Sequence, residues 1–241
     1  MKILLSAVLF SFLTSGCTKK APMISEPTIN QATNTPKTTG NFTYLALGDS
    51  YTIGESVKQA ESFPYQLQAL LKNQGIGIAD PKIIAVTGWT TDELQAGIKK
   101  ENLTGTFSFV TLLIGVNNQY RGYPINIYKK EFTELLQTAI VFAGGNKNKV
   151  FVVSIPDWGT TPFGKNSGRN QASIAAEIDS FNTANQEIAS ATGVSYTNIT
   201  PASRNAATDP SLVASDGLHP SAKMYTEWAT ALLPKVTTVL K

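Results

Sequence analysis

The sequence predicts an α/β protein built on a parallel, doubly wound sheet, and three observations carry that prediction. Short apolar runs rich in β-branched residues alternate with longer stretches whose apolar residues recur at helical spacing. The run at 107–114 combines β-branched and aromatic residues with almost no charge, as a strand buried on both faces requires. Glycines stand where the helical stretches have to stop, at Gly75, at Gly144 and Gly145, and at Gly193. Alternation of this kind implies parallel strands joined by crossover helices that cover both faces of the sheet.

The elements follow in order. Residues 42–47 read as the first strand, ending at Gly48, and Ser62 can cap a helix through Leu67, Leu70 and Leu71. Residues 82–86 make the second strand. Thr90 with Glu93 forms a capping box for a shorter helix, because each can satisfy a backbone N–H that the first turn leaves free. After the 107–114 strand, Tyr128, Phe132, Leu135, Leu136, Ala139 and Ile140 stripe a long helix. Residues 150–155 form a fourth strand, and Ile174, Ile178, Phe181 and Ile188 mark another long helix. A weaker fifth strand at 194–199 is followed by a final helix striped by Met224, Trp228 and Leu232, expected to end before Pro234.

The N-terminus reads as a processing and targeting segment. Met1 and Lys2 precede an apolar stretch at 3–13 that is too short to span a bilayer, so 1–16 is expected to be a signal peptide. It ends in Leu13-Thr14-Ser15-Gly16-Cys17, which resembles a bacterial lipobox with Thr14 in place of the usual Leu; a secretory signal cut elsewhere is the alternative. Cys17 is the only cysteine and has no intramolecular disulfide partner, which suits an acylated terminus. Residues 17–40, rich in Lys, Pro, Ser, Thr and Asn, cannot bury a core and read as a disordered tether to a domain at 41–241. The expectation is an exported protein, lipid-anchored to a bacterial membrane on its periplasmic or outer side, and otherwise monomeric.

Bulk composition narrows the function. With 241 residues, 42% hydrophobic and 15% charged, the chain fits one globular domain. A net charge of +3 without a like-charge block argues against a nucleic-acid-binding surface. One His and one Cys leave no cluster for zinc.

In a doubly wound sheet, ligands sit beyond the carboxyl ends of the strands, which gives a positional test for site residues. Ser50, in Gly48-Asp49-Ser50, follows the first strand, where a strand-to-helix turn can expose a hydroxyl beside backbone N–H donors. Gly88 follows the second strand and Asn117 the third, each common in such loops on its own. The lone His219 precedes the last helix, with Asp216 three residues earlier, where a carboxylate can orient an imidazole base. A plain turn at 48–50 and a surface histidine beside a capping residue are the bland alternatives for each piece alone. All four pieces together pass the positional test.

That ordered set, Gly48-Asp49-Ser50, Gly88, Gly115-x-Asn117 and Asp216-x-x-His219, resembles the four blocks of the SGNH hydrolases, the GDSL-type esterases and lipases. The resemblance spans the domain from about Asn41 to the final helix. It implies a flavodoxin-like three-layer α/β/α sandwich and a serine ester hydrolase whose chemistry needs neither metal nor organic cofactor. It further implies Ser50 as nucleophile, His219 as base, Asp216 as orienting acid, and an oxyanion hole from the Ser50 and Gly88 N–H groups and the Asn117 side chain. Asn118 departs from the family, many members of which carry Asp there, and Tyr51 stands where the eponymous motif has Leu.

Two other readings remain open at this stage. One is a metal-assisted phosphoesterase with Asp49, Asp216 and Asn117 as oxygen ligands; the other is a non-catalytic anchored binding protein. Trp89, Tyr120, Tyr123, Trp158 and Phe163 are expected to rim the crevice, with loop packing an equal alternative for Trp158. Arg121 can meet an anionic group, although a solvated role is the simpler one. No long lid insertion is visible, which favours a short acyl group on a glycan or small alcohol. Lysophospholipids and thioesters stay as alternatives.

Overall fold

The structure is a computed structural model and describes residues 38–241. The signal peptide and Cys17 lie outside the described residues, as does the tether up to residue 37. Five parallel strands form the main sheet: β2 (Tyr44–Gly48), β4 (Lys82–Ala85), β5 (Phe109–Leu113), β6 (Val150–Val153) and β7 (Ser195–Thr197), in the order β4-β2-β5-β6-β7. Counted along the chain within this sheet the order is 2-1-3-4-5, the doubly wound flavodoxin-like arrangement. All residues of β2, β5 and β6 are buried, which is why these segments read as uninterrupted apolar runs.

Helices cover both faces. Following β2 come the short α1 (Ser50–Ile53) and α2 (Phe63–Asn73); α3 (Thr91–Glu101) follows β4. The short α4 (Val116–Tyr120) and the long α5 (Ile125–Phe142) follow β5; α6 (Pro162–Asn166) and α7 (Gln171–Thr192) follow β6; α8 (Thr200–Ser203) and α9 (Ala222–Leu240) complete the chain. On one face α2 packs against α9, and on the other α5 packs against both α3 and α7. No helix among the described residues is long and apolar enough to cross a membrane.

Three details differ from the sequence reading. Phe42 belongs to a separate strand, β1 (Thr38–Phe42), paired in parallel with β3 (Ile76–Ile78) in a two-stranded sheet. Pairing therefore begins inside the segment whose composition suggests a tether, because main-chain hydrogen bonds make no demand on side-chain polarity. The last helix runs through Pro234 instead of stopping before it. An interior proline costs about 3 kcal/mol, but the fully buried Val236 and the nearly buried Leu240 continue the apolar stripe of Leu232 beyond it and outweigh that loss. The Ser62 side chain, finally, donates to Gln59 O instead of capping α2, although Ser62 does occupy the cap position.

Strand register decides where the site forms. Gly48 lies beside Ala85 on one side and Leu113 on the other, so β2, β4 and β5 end level with one another. The loops leaving them emerge at one edge, at the point between β2 and β5 where the winding direction reverses. Gly48 itself has no space for a side chain: a Cβ there would overlap Thr52 Oγ1 and Leu113 O.

Candidate active site

The turn after β2 is built by Asp49. Its Oδ1 accepts the Tyr51 N–H at 3.0 Å and caps α1, making Ser50 the first helical residue. A first-turn N–H has no partner one turn earlier, so the Ser50 amide is free to face a ligand. Asp49 is fully buried and its Oδ2 has no hydrogen-bond partner among the described residues. Burial pushes its carboxyl up to about 7, against the opposing bond from the Tyr51 N–H.

The loop before α9 presents the histidine. Ala214 N–H donates to His219 O at 2.7 Å and Ser221 N–H to Leu212 O at 2.9 Å, closing residues 214–219 into a tight loop. Inside it, Asp216 Oδ1 accepts the Leu218 and His219 N–H groups at 2.9 and 3.0 Å, and Oδ2 lies 2.6 Å from His219 Nδ1. Ser56 Oγ donates to the same Oδ2 at 2.6 Å. Partial burial raises the Asp216 carboxyl, but the bonds from Ser56, His219 and the two amides outweigh it and hold it well below the usual carboxylate range. The ring of Tyr51 meets the imidazole edge-on, centroids 5.5 Å apart.

Ser50, Gly88, Asn117 and His219 line one crevice of about 200 Å³, together with Tyr51, Thr87, Val116, Leu218 and the aromatics Tyr120, Trp158 and Phe163. Gly88 adopts φ +87°, a left-handed conformation open to glycine, and its carbonyl accepts from Arg121 Nη2 at 2.6 Å, which fixes the peptide. Asn117 Nδ2 donates to Trp89 O at 3.0 Å; an amide nitrogen carries two hydrogens, so one donor remains for the crevice.

Not every predicted residue reaches the crevice. Trp89 packs against Gly97 of α3, where a Cβ would strike the indole, and only its carbonyl serves the site by holding Asn117. Tyr123 lines an adjoining depression instead. Arg121 is neither free nor simply solvated: it pairs with Glu93 at 3.2 Å. Trp158 is 2% exposed, so its role is both packing and lining. Among the described residues no group of three His, Cys, Asp or Glu side chains could hold a metal ion, and the Asp216 oxygens are already engaged by four donors. Sequence reasoning missed Ser56, Thr87 and Leu218, which lie in turns without any distinguishing pattern.

The chain belongs to the GDSL-like lipase/acylhydrolase family, whose sequence profile matches residues 46–226, and it is an ester hydrolase. No curated protein sequence matches the chain. Similar solved structures include a lipase/acylhydrolase from Enterococcus faecalis, 21% identical, covering 83% of this chain and 97% of that one with a TM-score of 0.63. Axe2, an acetylxylan esterase from Geobacillus stearothermophilus, is 18% identical over 83% of this chain and 96% of its own, with a TM-score of 0.61. The psychrotrophic esterase EstA from Pseudoalteromonas sp. is 18% identical over 82% and 98%, with a TM-score of 0.59. At these identities the likeness is one of fold.

Proposed function

We propose that Ser50 is the nucleophile, His219 its general base and Asp216 the carboxylate that orients the imidazole. Neutral His219 takes the Ser50 proton as the hydroxyl attacks the ester carbonyl. The tetrahedral oxyanion is received by the N–H groups of Ser50 and Gly88 and by Asn117 Nδ2. His219 then protonates the departing alcohol, and water repeats the sequence on the acyl-enzyme. The single observation that carries this reading is the 2.6 Å contact of Asp216 Oδ2 with Nδ1 of an imidazole that shares one crevice with Ser50. That contact keeps the Nδ1 proton in place and leaves Nε2 to act as base.

The substrate in this reading is a short acyl ester, such as acetyl, on a glycan or small alcohol. A crevice of about 200 Å³ supports it, being smaller than the roughly 300–1,000 Å³ of sites for drug-sized ligands. The activity in the name of the Geobacillus relative is of the same class. The enzyme acts as an exported monomer held at a bacterial membrane through acylated Cys17. A fluorophosphonate should label the wild type and leave Ser50→Ala unlabelled, and nitrophenyl esters should be cleaved faster as the acyl chain shortens towards acetyl. A folded wild type that resists labelling would sink the mechanism. Mass spectrometry of the N-terminal peptide tests the anchor, which Cys17→Ser should abolish.

A further inference from the structure

We infer that the depression adjoining the crevice is a subsite for a neutral sugar ring, with Tyr120 as its stacking platform. The depression, about 430 Å³, is lined by Tyr120, Arg121, Tyr123, Arg169, Glu177 and Phe181, among others, and it meets the crevice at Tyr120, which lines both. Placing this sugar on the alcohol side of the ester rests on the mechanism proposed above.

Tyr120 is the unusual residue here. A large aromatic side chain, it remains 51% exposed, at the boundary of two concavities. Its ring is nonetheless held: it stands edge-on to Trp158 with centroids 5.3 Å apart, and Phe163 lies tilted against it at 6.5 Å. Trp158 is fixed in turn by a closed circuit. Its Nε1 donates to Gln119 Oε1 at 2.8 Å, Gln119 Nε2 donates to Glu177 Oε2 at 2.6 Å, and Arg169 Nη2 binds both Glu177 oxygens at 2.8 and 2.7 Å. The Arg169 guanidinium then returns over the Trp158 ring, 5.6 Å from its centroid. An exposed ring on such a rigid support loses little freedom when a ligand covers it.

The charges choose the ligand. Both arginines of the depression are already balanced, Arg169 by Glu177 and Arg121 by Glu93, with the Gly88 carbonyl as a further acceptor. An anionic ligand finds no uncommitted cation, and a lipid chain would strip water from two ion pairs without replacing its hydrogen bonds. A sugar ring presents C–H groups to an aromatic face and hydroxyls to the paired polar groups around it. Neutral carbohydrate is therefore the chemistry that satisfies both parts of the surface.

The test titrates the full chain with an unesterified xylo-oligosaccharide and, separately, a chito-oligosaccharide, following calorimetry and aromatic fluorescence. Saturable binding is expected to at least one, weakened about tenfold in Tyr120→Ala and kept within about threefold in Tyr120→Phe, the loss of one stacked ring. Circular dichroism and thermal melting confirm that each variant is folded. Fluorophosphonate labelling of the same preparation separates the two readings. Labelled protein that binds neither sugar overturns the subsite and leaves the esterase mechanism standing, whereas unlabelled protein that binds sugar keeps the subsite and removes the mechanism. Equal binding by folded Tyr120→Ala, or binding of acidic oligogalacturonate alone, also overturns the subsite.

Discussion

Ser56 Oγ donates to Asp216 Oδ2 at 2.6 Å across 160 residues of sequence, tying the turn after the first strand of the main sheet to the loop that carries the histidine. The same Oδ2 faces His219 Nδ1, so one carboxylate oxygen serves a hydroxyl and an imidazole together. Ser56 holds a left-handed φ of 64°, a conformation that disfavours residues with a side chain. Removing the hydroxyl should lower kcat roughly three- to tenfold with little change in KM, about the net worth of one typical hydrogen bond. Ser56→Ala and Ser56→Gly should share that loss, but the glycine variant should be more stable by about 1 kcal/mol because it accepts the positive φ. Steady-state kinetics and thermal melts of both variants check this, and unchanged kcat in both would show that the bond is idle.

Asp216→Asn should reduce kcat by three to four orders of magnitude, roughly the effect of losing the carboxylate that fixes a catalytic imidazole. The pH dependence has a definite sign. The folded-state pKa of Asp216 is depressed, so its contribution to stability is present above the unfolded carboxylate value of 3.8 and is lost as pH falls below it. Wild-type protein should therefore melt at a higher temperature than Asp216→Asn at neutral pH, the difference closing in strong acid.

Asp49 behaves in the opposite way. Its folded-state pKa is raised to about 7 from 3.8, so its contribution is complete below pH 3.8 and is lost as pH climbs through 7. Over that window the loss is on the order of 4 kcal/mol. Asp49→Asn keeps a cap acceptor for Tyr51 and carries no charge. The difference in unfolding free energy between wild type and Asp49→Asn should shift in favour of the variant as pH rises from about 4 to about 8, and a pH-independent difference would refute the buried ionisation.

Asn117 and Asn118 are adjacent but should fail differently. Asn117→Ala removes a donor facing the crevice and should lower kcat roughly a hundred- to a thousandfold with little effect on melting. Asn118 is fully buried, its Oδ1 accepting Thr91 N–H at 3.1 Å and its Nδ2 donating to Thr91 Oγ1 at 2.7 Å. Asn118→Ala should cost about 1–3 kcal/mol of stability by leaving the buried Thr91 N–H unpaired. Paired kinetics and denaturant titrations distinguish the two roles.

Much of the fold was legible because burial leaves its mark on composition: strands covered on both faces, such as Phe109–Leu113, carry no charged residue and only one polar one, Thr111. Ile76–Ile78 was not, since three residues after a helix-ending glycine carry too little periodicity. The helix through Pro234 was misread because a local breaker rule was outweighed by packing that only the tertiary structure supplies. Ser50, Gly88, Asn117 and His219, singled out by where they stand relative to strands and the last helix, line one crevice, because sequence order preserves that property of the topology. Trp89 was misplaced because the same loop points its side chain at Gly97 and its carbonyl at Asn117, a choice that composition does not record. Ser56 was invisible for a related reason, its partner being set by how distant loops meet.

The packing of α9 against α2 has a consequence for biosynthesis. A nascent chain halted before residue 216 already contains every strand of the sheet, the serine turn, Gly88 and Asn117, yet holds neither the imidazole nor its carboxylate. On the mechanism proposed above, hydrolytic competence arrives last, when the terminal helix seats and brings its preceding loop onto a turn translated long before. Any substitution that loosens that seating should silence the enzyme without touching a reacting group.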